Sequence, residues 1–134
     1  MDEIHSWKVF GGRWLVSYTK PGPINDKTWD AFVEAIENAP ELRMALGVSY
    51  GSVGVNSVQR KKTADALKKK SVAVIVITDD RLTRGIVTAI SWLGAKLKAF
   101  SWLEMDKAVA ALEAPEQVSA EILASVRKFY ESRD

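Results

Sequence analysis

Residues 71–78 read SVAVIVIT. Six consecutive apolar residues, most of them β-branched, leave no polar side, so a strand built from them is buried on both faces. Strands of that kind lie in the centre of parallel sheets covered by helices. Parallel strands need crossover connections, and the flanking sequence supplies them. Downstream, Asp79 or Asp80 is placed to cap a helix from about Arg81 to Leu93, with Leu82, Ile86, Val87, Ile90 and Leu93 as one apolar stripe and Gly94 closing it. Upstream, a basic helix runs roughly from Ser57 to Lys69 and is reached from the mostly buried strand MALGVSY, residues 44–50, through a Gly/Ser/Asn loop.

The amino-terminal part has a different pattern. WKVF and RWLVSYT, residues 7–10 and 13–19, flank Gly11-Gly12 and read as an antiparallel hairpin. KPGP, residues 20–23, ends the second strand, because proline cannot continue a ladder. Asn25 or Asp26 caps a helix whose Trp29, Phe32, Val33 and Ile36 follow the i, i+3, i+4, i+7 rule, and Pro40 stops it. Towards the carboxyl end come a short strand in KLKAFSW, a helix from Glu104 to Leu112, and a last helix opened by Pro115. That last helix carries Val118, Ile122, Val126 and Phe129 on one face, a stripe that requires burial. Packing on its own sheet, next to the first helix, is the expected solution, and a homodimer through the same stripe is the competing one.

The order ββαβαβαβαα predicts an α/β fold in one domain: a mixed β-sheet with an amino-terminal hairpin and parallel βα units, helices packed on the sheet, and an extra carboxyl-terminal helix. The 134 residues, 47% hydrophobic and 27% charged, fit one globular unit. With no cysteine, disulfides, thiolate metal sites and thiol nucleophiles are excluded. The single histidine, His5, is expected to face solvent near the amino end, and without a second one a His-based metal site or a Ser/His/Asp triad has no basis. No cofactor is expected. MDEIHSWKVF does not read as a signal peptide and no apolar run approaches membrane-spanning length, so the expectation is a cytoplasmic protein without membrane insertion.

The element order, the single central apolar strand, the stretch DDRLTRGIVTAISWLG and the ending KLKAFSWLEMDKAVAAL resemble the STAS domain of the bacterial SpoIIAA-like class, the anti-sigma-factor antagonists. Glu104, Ala108, Ala111 and Leu112 fill that family's pattern for the helix after its last strand, and the resemblance covers about residues 7–113. It implies a regulatory module that docks protein partners. In phosphorylatable members a strand leads into Asp-Ser-Ser-Gly at a helix start, and the second serine accepts phosphate from a partner kinase. Those four positions fall here on Asn56, Ser57, Val58 and Gln59, so the acceptor is lost, unless a shift of one residue makes Ser57 the phosphoacceptor.

The loop GVSYGSVGVNSVQRKK, residues 47–62, admits two readings of its own. Backbone N–H groups at the helix start with Arg60, Lys61 and Lys62 nearby can hold a phosphate. A plain strand-to-helix turn is the favoured reading, since Gly51 and Gly54 match neither the Walker nor the dinucleotide pattern. Residues 57–70 hold six Lys/Arg against one Asp, a net of +5, in a chain whose net is +2, so the remainder carries −3. A solvated face is the first reading of that helix, an acidic protein partner the second and nucleic acid the last, because no aromatic side chain interleaves with the cations.

The five tryptophans read as core packing. TDDRLTRG, residues 78–85, lies where a central strand delivers its carboxyl end, the place where open α/β sheets bind ligands. Asp79, Asp80 and Arg84 there define the alternative function, a small-ligand-binding domain or minor enzyme, although adjacent aspartates at a helix start favour capping. The leading expectation is a non-catalytic regulatory or scaffold module acting through protein–protein contact. Its expected partner-binding residues are Ser52, Asn56, Ser57, Gln59, Arg60, Lys61, Lys62, Arg81 and Arg84, without catalytic or metal-ligating residues.

Overall fold

The structure, a computed structural model, describes residues 4–133. In chain order the elements are His5–Phe10 (β1), Trp14–Thr19 (β2), Gly22–Pro23 (β3), Asp26–Asn38 (α1), Met44–Ser49 (β4), Val53–Gly54 (β5), Ser57–Lys70 (α2), Ala73–Ile77 (β6), Arg81–Trp92 (α3) and Leu97–Phe100 (β7). A 3-10 turn at Trp102–Glu104 then leads into Met105–Ala110 (α4), and Glu116–Glu131 (α5) follows. Five strands form one sheet in the order β1-β2-β4-β6-β7, with β1 antiparallel to β2 and every other pairing parallel. The α/β fold with its amino-terminal hairpin is as the sequence predicts. The short β3 and β5, which pair with each other, are the addition.

Local chemistry sets these elements. Gly11 and Gly12 take φ of +58° and +72°, the left-handed backbone that closes the β1–β2 turn. Asn25 caps α1 by accepting from the Thr28 N–H at 2.8 Å, and Trp29, Phe32, Val33 and Ile36 are the buried face, at the spacing the periodicity predicts. The outer strands β1 and β7 carry exposed Lys8 and Lys98, charges that disfavour pairing with further strands.

Alternation along the strands divides the core in two. Leu15 and Ala45 pack with α1, α2 and α3 on one side of the sheet. Val16, Leu46, Val48, Ile75 and Ile77 pack with α4 and α5 on the other. The last helix therefore does pack on its own sheet, with Ile122 and Val126 fully buried, but on the face opposite α1 rather than beside it. The first face is already taken by three helices, while Val16, Leu46 and Ile77 need cover on the second.

Three further readings are corrected. His5 is buried, not solvent-facing: as the first residue of β1 it pairs with Thr19, bonds its hydroxyl through Nδ1 at 2.9 Å, and meets Phe32 edge-on with ring centroids 4.7 Å apart. Trp14, Trp29 and Trp102 are core residues, but Trp92 is 83% exposed. At 100° per residue Trp92 stands 140° around the helix from the inward Val87. The α3 stripe is also rotated: Thr83, Val87 and Ile90 face inward, while Leu82 and Leu93 are exposed.

Candidate partner-docking rim

The carboxyl ends of β4, β6 and β7 converge on one rim, built by the loop before α2, the start of α3 and the 3-10 turn. Asn56 caps α2 by accepting from the Gln59 N–H at 2.9 Å, and the Gln59 side chain returns a bond from the Asn56 N–H at 3.0 Å, a complete capping box. Gln59 is buried and donates inward to the Ile24 carbonyl and the Asp26 carboxylate. The sequence reading counts Gln59 among the partner-binding residues; its side chain instead is buried, holding the β3–α1 connection to α2. Ser57 and Val58 are exposed on the first turn.

The α3 start is organised by Asp80. Its carboxylate accepts from the Thr83 N–H at 2.9 Å, from the Thr83 hydroxyl at 2.9 Å and from the Ser52 hydroxyl at 3.0 Å. These bonds, the Thr83 N–H foremost, hold the Asp80 carboxyl below the usual range against the opposing effect of desolvation. Thr83 also lies 3.3 Å from the Gly51 carbonyl and accepts from the Val53 N–H, so one hydroxyl joins α3 to the β4–β5 loop. That bond accounts for the rotation of α3: with Thr83 turned inward, Leu82 is turned out. Asp79 accepts from the Trp102 N–H at 3.0 Å. Glu104 accepts from the Ser101 N–H, which with the Ser101 hydroxyl depresses its carboxyl, and Lys107 and Arg84 act in the same direction.

The basic helix is paired both within itself and to α1. Lys61 bonds Asp65 and Lys62 bonds Asp30, each at 2.9 Å. Lys68 and Lys69 face Asp65 and Glu37 at 3.8 and 3.9 Å. Arg60 donates to the Val55 carbonyl, and Lys70 to the Glu37 and Ala39 carbonyls. Exposed pairs of this kind contribute little stability but shorten the reach of each charge. Ser52, Asp80, Arg81 and Arg84 thus come together at the rim, whereas Lys61 and Lys62 lie along the flank of α2.

Exposed apolar side chains at the rim escaped the sequence reading. Val58 is 61% exposed, Leu82 70% and Leu103 fully exposed. Leu82 fits the helical spacing of the buried stripe; the Thr83 contacts turn it outward instead. Among the described residues no group of three or more His, Asp or Glu is placed to hold a metal, and no helix is long and apolar enough to cross a membrane. Compared with protein-family models, curated proteins and solved structures, the chain matches none.

Proposed function

We propose that the protein is a STAS-like, non-catalytic regulatory or scaffold module of the cytoplasm that docks an acidic protein on this rim, without a serine phospho-switch. The exposure of Val58, Leu82 and Leu103 at the rim that also carries Arg81 and Arg84 is the observation that carries the reading. Apolar groups exposed along one rim and edged by charge have the composition of a docking surface. Arginine favours carboxylate partners through paired donors, and the +5 segment adjoins the same rim. The alternative, a ligand or catalytic site at Asp79, Asp80 and Arg84, draws less support, since both carboxylates already accept bonds that order the rim.

The test is comparative capture with the full chain. Wild type, Leu82→Ser/Leu103→Ser and Arg81→Glu/Arg84→Glu are immobilised and exposed to source-cell lysate. The expected result is an acidic protein retained by wild type and lost from both variants, with unfolding curves unchanged, since surface changes cost within about 0.5 kcal/mol. An identical set of captured proteins from all three overturns the reading.

A further inference from the structure

Between the sheet and α1–α3 lies a cavity of about 120 Å³. Its floor is one row across the strands, in which Ser17 pairs with Gly47 and Gly47 with Val76. Helix-covered sheets fill such a row with large side chains; here two adjacent positions carry a hydroxymethyl group and a hydrogen. The helices supply Phe32, Ile36, Val87 and Ile90 above it. No carboxylate, lysine or arginine lines the space among the described residues.

We propose that this cavity binds a small, uncharged, mainly apolar molecule of about one six-membered ring carrying a single hydroxyl. Size follows from the volume, because apolar cavities of roughly 150 Å³ stay dry and take benzene or xenon. The wall is mainly apolar and carries no carboxylate, lysine or arginine to offset the desolvation of an ion. That the ligand carries a hydroxyl follows from the polar groups left on the wall, and the volume leaves room for one beside the ring. His5, itself on the wall, and Thr19 bond each other, Thr63 is engaged by Trp29 and the Gln59 carbonyl, and Thr83 by Asp80. Ser17 and Ser49, 6% and 5% exposed, remain as hydroxyls placed to serve a ligand. The proposal stands apart from partner docking: the charged rim is the outer surface, and this chamber lies beneath it, with Thr83 on its wall.

The experiment titrates the full chain with phenol and with benzene, following methyl resonances and Tm. Binding gives saturable one-to-one shifts centred on Ile36, Val76, Val87 and Ile90, and raises Tm by about 4 °C at tenfold excess over Kd. Gly47→Val fills the floor and abolishes the shifts. Should that variant fail to fold, Gly47→Ala serves, since its Cβ would meet Ser17 Oγ at an ordinary 3.4 Å, and it weakens both probes. Ser17→Ala weakens phenol by about tenfold and leaves benzene unchanged, the loss of one hydrogen bond. Non-saturating shifts at millimolar probe, or shifts that persist in the folded Gly47 variants, overturn the proposal.

Discussion

The ring of Tyr130 stacks on that of Trp102, with centroids 3.9 Å apart and planes 17° from parallel. Trp102 in turn donates its indole N–H to the Ser49 carbonyl at 2.9 Å, and Arg133 lies over the Tyr130 ring. One contact thus joins the end of α5 to the ends of β7 and β4. At its middle α5 is held by Ser125, whose hydroxyl bonds that of Tyr18 on β2. Tyr130→Ala should cost about 1–3 kcal/mol, the stacking increment plus lost apolar burial. Ile122→Ala, with no exposed surface to relax into, should cost about 2–5 kcal/mol. Urea denaturation checks both, and a chain cut before Pro115 should unfold or aggregate. A soluble, folded truncation would show that the second face of the sheet does not need α5.

Neighbouring residues at the α2 start should behave oppositely. Gln59→Ala removes half of the capping box and the buried bonds to Ile24 and Asp26, at a cost of about 1–3 kcal/mol. Ser57→Ala, one exposed hydroxyl, should stay within about 0.5 kcal/mol. Equilibrium denaturation that ranks Ser57 above Gln59 would contradict the capping geometry. Intact-mass analysis of protein from its native cells should find no phosphate on Ser57.

Much of the architecture was legible because it rests on period and punctuation. The six-residue apolar run could only be an interior strand, and the α1 stripe was right at every position. What misled were choices made by tertiary contacts. Leu82 and Thr83 compete for the inward position of α3, and the winner is decided by the Gly51 carbonyl and Val53 N–H, 30 residues or more away in sequence. His5 looked terminal and exposed, yet strand pairing with Thr19 carries it into an aromatic cluster. The rim's apolar side chains share that cause. The cavity had a trace in the sequence, Ser17 and Gly47 interrupting two apolar strands, but only strand register shows that they are adjacent.

Trp92 offers a spectroscopic check on α3. Three tryptophans are buried, each donating its indole N–H to a carbonyl: Trp14 to Leu112, Trp29 to Gln59 and Trp102 to Ser49. Trp92 is 83% exposed. Iodide, which does not enter apolar interiors, should quench mainly the emission of Trp92, with half-buried Trp7 a smaller contributor. Trp92→Phe should remove most of the quenchable fraction and leave the blue-shifted remainder. If quenching is unchanged in the variant, α3 is rotated differently from the arrangement described.

The last prediction concerns acid. The Asp80 carboxyl is held below its usual range by the Thr83 N–H, then by the Thr83 and Ser52 hydroxyls. A carboxyl depressed by folding adds stability that is present above its unfolded pKa, about 3.9, and lost as pH falls through the lower folded value. Asp80→Asn keeps one acceptor oxygen for the Thr83 N–H but turns the other into a donor and removes the charge. The stability gap between wild type and Asp80→Asn should therefore be constant from about pH 7 to about pH 5, and should narrow below about pH 4 as Asp80 protonates. Glu104 and Asp65 are depressed in the same direction, but they are present in both proteins and cancel in the difference. Urea midpoints measured across this range decide it. A gap that widens with acid would mean that the Asp80 carboxylate is destabilised by its surroundings, against the three donors that face it.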